Sequence, residues 1–123
     1  MKTMAPLVAV VDDDESVRES LPDLLREFGY RSEAFASAEA FLALDPFDDT
    51  HCLILDVAMP GMSGPELQLE LKRRGCTVPI IFITAHGSDA NCVRLVERGA
   101  VDCLSKPFTE TALLKALSAA MPI

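Results

Sequence analysis

No stretch of this 123-residue chain comes near the roughly 20 consecutive apolar residues of a membrane span. A basic excess is missing too: 19 acidic residues stand against 11 Lys and Arg, a formal net charge of -8. A surface of that sign argues against direct wrapping of nucleic acid, because phosphate contacts need Lys and Arg. The four cysteines, at 52, 76, 92 and 103, form no CxxC pair. They are therefore expected to be structural thiols, with Cys52 and Cys103 buried inside strands. MPGMSG, the most glycine-rich stretch, lacks the lysine and the spacing of a Walker phosphate loop. The opening MKTMAPLVAVVDDD is not a signal peptide, since acidic residues interrupt the apolar run at once. No linker, internal repeat or low-complexity tract divides the chain. These features fit one cytoplasmic domain spanning 1–123 with no membrane partner.

Half of the residues are apolar or aromatic, enough for a full core. They alternate between short continuous runs and helix-periodic stretches. LVAVV at 7–11, CLILD at 52–56, PIIFIT at 79–84 and the stretch 101–105 read as strands. A more polar strand at 30–35 suits a sheet edge. A helix is predicted over 14–28 with Val17, Leu21, Leu24, Leu25 and Phe28 on one face, despite Pro22 inside it. Ser37 is expected to cap a second helix that turns Ala40, Phe41 and Leu44 inward. Ser63 and Glu66 have capping-box spacing, with Pro65 early and Gly75 at the end. Ser88 would cap a fourth helix ending at Gly99. Thr109 would cap a fifth, with Leu113, Leu114 and Leu117 facing the core.

Five strand–helix units with short connections predict an α/β fold, a doubly wound (βα)5 parallel sheet covered on both faces. An eight-unit barrel would need about twice the length. In open sheets of this kind, sites form beyond the carboxyl ends of the strands. Those positions hold Asp12 and Asp13, then Asp56, then Thr84, Ala85 and His86, and finally Lys106.

Carboxylates gathered at strand ends repel one another unless a cation compensates them. A hard ion with oxygen ligands suits them, Mg²⁺ first and Mn²⁺ as an alternative. Asp13 and Asp56 are the expected direct ligands, Asp12 an anchor for metal-bound water. A backbone carbonyl just after Asp56 would complete the protein's share. Asp56 ends the central apolar strand and is the candidate nucleophile, able to form an acyl phosphate. Lys106 would pair with Asp56 or with a phosphoryl oxygen. The Thr84 hydroxyl would donate to the same group, and its movement would couple the chemistry to the surface.

The same residues carry a resemblance to receiver domains of bacterial response regulators, over essentially the whole chain. VVDDDESVR at 10–18, LILDVAMPGMSG at 53–64, PIIFITAHG at 79–87 and GAVDCLSKPF at 99–108 occur in that family's order. The local wording looks like the FixJ or NarL-type transcription regulators. The resemblance implies the flavodoxin-like strand order 2-1-3-4-5 and Asp56 as phosphoacceptor. It implies Asp12 and Asp13 as the acidic pair, the Ala58 carbonyl as a metal ligand and Thr84 as the switch hydroxyl. Lys106 matches the pocket lysine, with a cis Lys106–Pro107 peptide. A sensor histidine kinase would donate the phosphoryl group, and the domain would catalyse only its own phosphorylation and dephosphorylation. Ala58 and His86 match variable positions that tune phosphoryl lifetime.

The family usually carries Tyr or Phe three residues before the lysine; this chain has Cys103. That predicts a muted ring-dependent switch. In FixJ-like proteins activation promotes a homodimer through the fourth helix, fifth strand and fifth helix, so Val93, Val96 and Cys103 are candidates there. DNA would be reached only through an output domain missing from this sequence. Two other functions compete: a phosphorylation-independent protein-interaction module with the same fold, and a metal-dependent phosphatase on a related fold.

Overall fold

A computed structural model describes the backbone of residues 5–47, 49–85 and 89–121, with the side chains of all but 89–91. Five parallel strands form one sheet in the order β2-β1-β3-β4-β5. They are β1 Leu7–Val11, β2 Arg31–Phe35, β3 Cys52–Asp56, β4 Ile80–Thr84 and β5 Asp102–Ser105. The helices between them are α1 Glu15–Glu27, α2 Ala38–Leu42, α3 Gly64–Arg73, α4 Asp89–Glu97 and α5 Glu110–Ala120. This is the architecture and strand order expected from the sequence.

The three central strands are buried at every position. Alternate residues feed two separate cores, because successive strand side chains point to opposite faces. Val8, Val10, Cys52, Ile54, Ile81 and Ile83 pack with Leu21 and Leu25 of α1 and Leu113 and Leu117 of α5. Val11, Leu53, Leu55 and Phe82 pack on the other face with Phe41 of α2, Leu67 and Leu71 of α3 and Leu95 of α4. Continuous apolar runs are what two covered faces require. The polar strand β2 lies at the edge, as its composition indicated.

Local signals explain most helix ends. Asp14 caps α1, Ser37 caps α2 and Thr109 caps α5, each accepting a backbone N–H with its side chain. Ser63 and Glu66 form the reciprocal capping box of α3. Gly75 takes φ +75° just beyond α3, a conformation costly for residues with a Cβ. Pro22 is accommodated, buried, inside α1. Ser88 and His86 lie outside the described residues.

Three expectations about side-chain direction need correction. α2 is only five residues long, and its inward pair is Ala38 and Phe41 at i, i+3 spacing. Ala40 is exposed and Leu44 lies beyond the helix, 39% exposed. In α5, Leu114 is also turned outward, because Leu113, Ala116, Leu117 and Ala120 already fill the inward stripe. The third concerns Cys103. It is half-buried and disulfide-bonded to Cys92 of α4 rather than a buried free thiol. Cys52 is the fully buried free thiol expected, and burial pushes its pKa up to about 12.

Candidate functional site

The register of the sheet brings the candidate residues together. Val11 stands opposite Leu55, and Asp56 opposite Ile83, so β1, β3 and β4 end nearly level. Thr84 pairs with Ser105, and the Lys106 N–H donates to the Thr84 carbonyl at 2.8 Å, which brings the end of β5 to the same edge. The Lys106–Pro107 peptide is cis.

Asp12, Asp13 and Asp56 each present a carboxylate oxygen within 4.8 Å of the others. Asp12 is fully buried and Asp56 nearly so, while Asp13 sits exposed at the rim. Lys106 Nζ donates to Asp12 Oδ2 at 2.8 Å and lies 3.8 Å from Asp56 Oδ1. The lysine is thus committed to Asp12 first, where the sequence had suggested Asp56. Asp12 Oδ1 also accepts the Asp14 N–H at 2.9 Å, which fixes the carboxylate's orientation. Thr84 is buried beside these groups at the end of β4.

Two supporting residues escaped the sequence reading. The Arg18 guanidinium of α1 donates to the Asp12 backbone carbonyl at 3.0 Å. Gly64 lies so close to the chain after β3 that a Cβ would collide with the Asp56 carbonyl oxygen and crowd Phe82. Its N–H donates to the Val57 carbonyl at 3.1 Å. The glycine in MPGMSG was the available signal. Close backbone approach, not turn conformation, is what requires it.

The electrostatics follow from this packing. Burial first, and then the nearby Asp12 charge, raise the Asp56 pKa to about 7 against the opposing pull of Lys106. Burial works against the Lys106 ammonium, yet the hydrogen bond and charge of Asp12 outweigh it and hold the lysine above its ordinary value. Among the described residues three carboxylates gather here, and Lys106 pairs with two of them, Asp12 and Asp56. The deficit of positive charge and the all-oxygen donor set fit a hard divalent cation. Such an ion would lower the Asp56 pKa and favour its ionised, nucleophilic form.

An α/β sheet in this order, with an acidic pocket and a lysine at its carboxyl edge, defines a class, and comparison with known proteins gives the same one. Residues 8–118 match the family described as "Response regulator receiver domain", and the chain belongs to it. Accepting a phosphoryl group is that family's function. Among its relatives, nodulation protein W of Bradyrhizobium diazoefficiens is 49% identical, covering 93% of this chain and 50% of that protein. Response regulator protein TodT of Pseudomonas putida is 43% identical, covering 100% of this chain and 54% of that protein. The chain spans about half the length of these curated relatives. The solved structure described as FixJ-N superposes with a TM-score of 0.85 at 39% identity, over 96% of this chain and 94% of that one. Among the described residues, no helix is long and apolar enough to cross a membrane.

Proposed function

We propose that Asp56 of this chain accepts a phosphoryl group from a phosphohistidine of a sensor histidine kinase, in the cytoplasm. An Asp56 carboxylate oxygen attacks phosphorus, the P–N bond to the donor imidazole breaks, and the imidazole keeps the electron pair. Mg²⁺, or Mn²⁺ in its place, would be held by Asp12, Asp13, Asp56 and the Ala58 carbonyl, and would supply charge compensation for the incoming phosphoryl oxygens. Lys106 and the Thr84 hydroxyl would take up phosphoryl oxygens once the adduct forms. Loss of the group is attack by water, so the domain acts only on its own acyl phosphate. Ala58, exposed and without a polar side chain, leaves that water unassisted from its position. His86, outside the described residues, would tune the same lifetime.

One observation carries this reading. A buried carboxylate at the end of the central strand lies between two further carboxylates and a lysine 3.8 Å away. Such a group costs stability, and its retention points to chemistry. Movement of Thr84 toward the adduct would shift the populations of two surface arrangements. The responding face is that of α4, β5 and α5, where Val93, Val96 and Leu114 are exposed large apolar residues suited to a homodimer contact. DNA contact and transcription regulation would belong to a further domain outside this chain.

The test is incubation with Mg²⁺ and acetyl phosphate followed by intact mass, with Asp56→Asn alongside. A gain of about 80 Da on the unmodified chain only, one phosphoryl group, is expected. No gain with either acetyl phosphate or a cognate kinase would favour a phosphorylation-independent interaction module. Turnover of free phosphate esters would favour a phosphatase.

A further inference from the structure

α4 packs along β5, the edge strand of the sheet. Among its described side chains only Leu95 is buried, whereas α5 buries Leu113, Ala116, Leu117 and Ala120. α4 is also fastened to the sheet covalently: Cys92 is disulfide-bonded to Cys103 of β5, 11 positions further along the chain, with the Cα atoms 5.4 Å apart. Both cysteines are half-buried, within reach of a small thiol. They line a shallow groove with Val93, Val96, Glu97 and Asp102, on the outer face of α4 and β5. Cys103 pairs in register with Phe82, two residues before Thr84 on β4. The link therefore joins α4 to β5 directly beside the strand that carries the switch hydroxyl. The remaining thiols are elsewhere: Cys52 is sealed in the core and Cys76 follows α3.

We propose that the Cys92–Cys103 bridge is a redox latch on the face of α4 and β5. Closed, it holds α4 against β5 and restrains the rearrangement of that face; opened by a dithiol reductant, it frees α4 to respond. This rests on the reading of Asp56 and Thr84 as a phosphoryl switch. A thiolate of the dithiol attacks one bridge sulfur, the S–S bond breaks, and the other cysteine leaves as a thiolate and takes a proton. The second thiol of the reductant then displaces the first cysteine. The bridge gains two electrons and two protons, and the dithiol becomes a disulfide. Glu97 and Asp102 place two carboxylates on the groove, which disfavours anionic monothiols as reductants. Reversible bridges of this kind suit a reducing compartment, where lasting structural disulfides are rare.

The test uses the full chain labelled with ¹⁵N, in an oxidised and a dithiol-reduced preparation, with Cys92→Ser as a chain that cannot latch. Intact mass separates the two preparations by about 2 Da, the two hydrogens of the opened bridge. Amide hydrogen exchange is read first, with no phosphoryl mimic present. The latch predicts α4 amides exchanging about tenfold slower or more in the oxidised chain, with Cys92→Ser behaving as reduced under oxidant and with β1 and β3 unchanged. Equal α4 exchange in both states, or free thiols at 92 and 103 after oxidation, overturns it. Beryllofluoride and Mg²⁺ are then added. Resonances around Asp56 and Thr84 should shift in both states, and those of α4 and β5 more in the reduced chain. Equal α4 and β5 shifts in the two states also overturn the latch. No shift at Asp56 in either state overturns the phosphoacceptor reading instead, while the exchange comparison still decides whether the bridge holds α4.

Discussion

The two ends of the sheet handle charge in opposite ways. At the amino end, Arg31 pairs with Asp49, and Arg74 with Asp45 and Glu70, all at least partly in solvent. A cavity of about 500 Å³ opens there, lined by Asp45, Pro46, Phe47, Thr50, Arg74 and Cys76, among others. At the carboxyl end, Asp12 and Asp56 are buried against the Lys106 ammonium. Solvated pairs cost little to keep and contribute little. Buried charges cost several times more, and they persist where they do something besides stabilising. The cavity at the amino end marks volume; the carboxyl end is marked instead by buried, under-compensated charge.

The largest expected effect comes from removing the ammonium paired with the buried carboxylates. Lys106→Met should lower unfolding stability by about 2 kcal/mol at pH 8, since it strands Asp12 and Asp56. The loss should shrink toward pH 5 as Asp56 protonates. Urea unfolding at the two pH values would check this, and a cost independent of pH would point to lost packing instead.

Asp56→Asn should act in the opposite direction. The folded pKa of about 7 lies above the usual aspartate value of 3.8, so the folded chain binds more protons than the unfolded one between them. Ionised Asp56 therefore subtracts stability as pH rises through that window. Its replacement should add roughly 1–2 kcal/mol at pH 8, after allowance for screening and for the lost attraction of Lys106. The gain should vanish near pH 4. A variant less stable than the parent at pH 8 would contradict the placement of Asp56 as a strained carboxylate.

A smaller effect is expected from the divalent ion itself. Mg²⁺ should raise the thermal midpoint at pH 8 more than at pH 5.5, because protons compete for the same oxygens. Asp13→Asn and Asp56→Asn should each weaken that response in a thermal melt. An unchanged response in both would move the ion elsewhere.

The smallest effect belongs to the amino end. Arg74→Ala breaks pairs with Asp45 and Glu70 that solvent already screens. No resolvable change in the denaturation midpoint is expected, with or without Mg²⁺. A loss comparable to that of Lys106→Met would erase the contrast between the two ends.

Most of the fold was legible because its determinants are local. LVAVV, CLILD and PIIFIT announce strands buried on both faces, and Ser37, Ser63 and Thr109 announce three of the helices. The pocket was legible for a related reason. A parallel sheet with right-handed crossovers delivers the residue after each strand to one edge, so Asp12, Asp56, Thr84 and Lys106 could be gathered before any distance was known. The preference of Lys106 for Asp12 over Asp56 is a matter of about an ångström and has no sequence signature. Nor does the Cys92–Cys103 bridge, which depends on where α4 settles on β5. The inward residues of α2 were misplaced because five residues hold too little periodicity to fix a face. Leu114 was misplaced because three leucines compete for a stripe that the alanines at 116 and 120 complete.

The central claim is that Asp56, and not one of its two acidic neighbours, receives the phosphoryl group. It is tested most directly by phosphorylating the chain with acetyl phosphate and Mg²⁺, reducing the acyl phosphate with borohydride, and mapping the modified residue by peptide mass spectrometry. Conversion at position 56 alone is the predicted result. Conversion at Asp12 or Asp13, or no conversion under conditions where the Mg²⁺ response is intact, would contradict it.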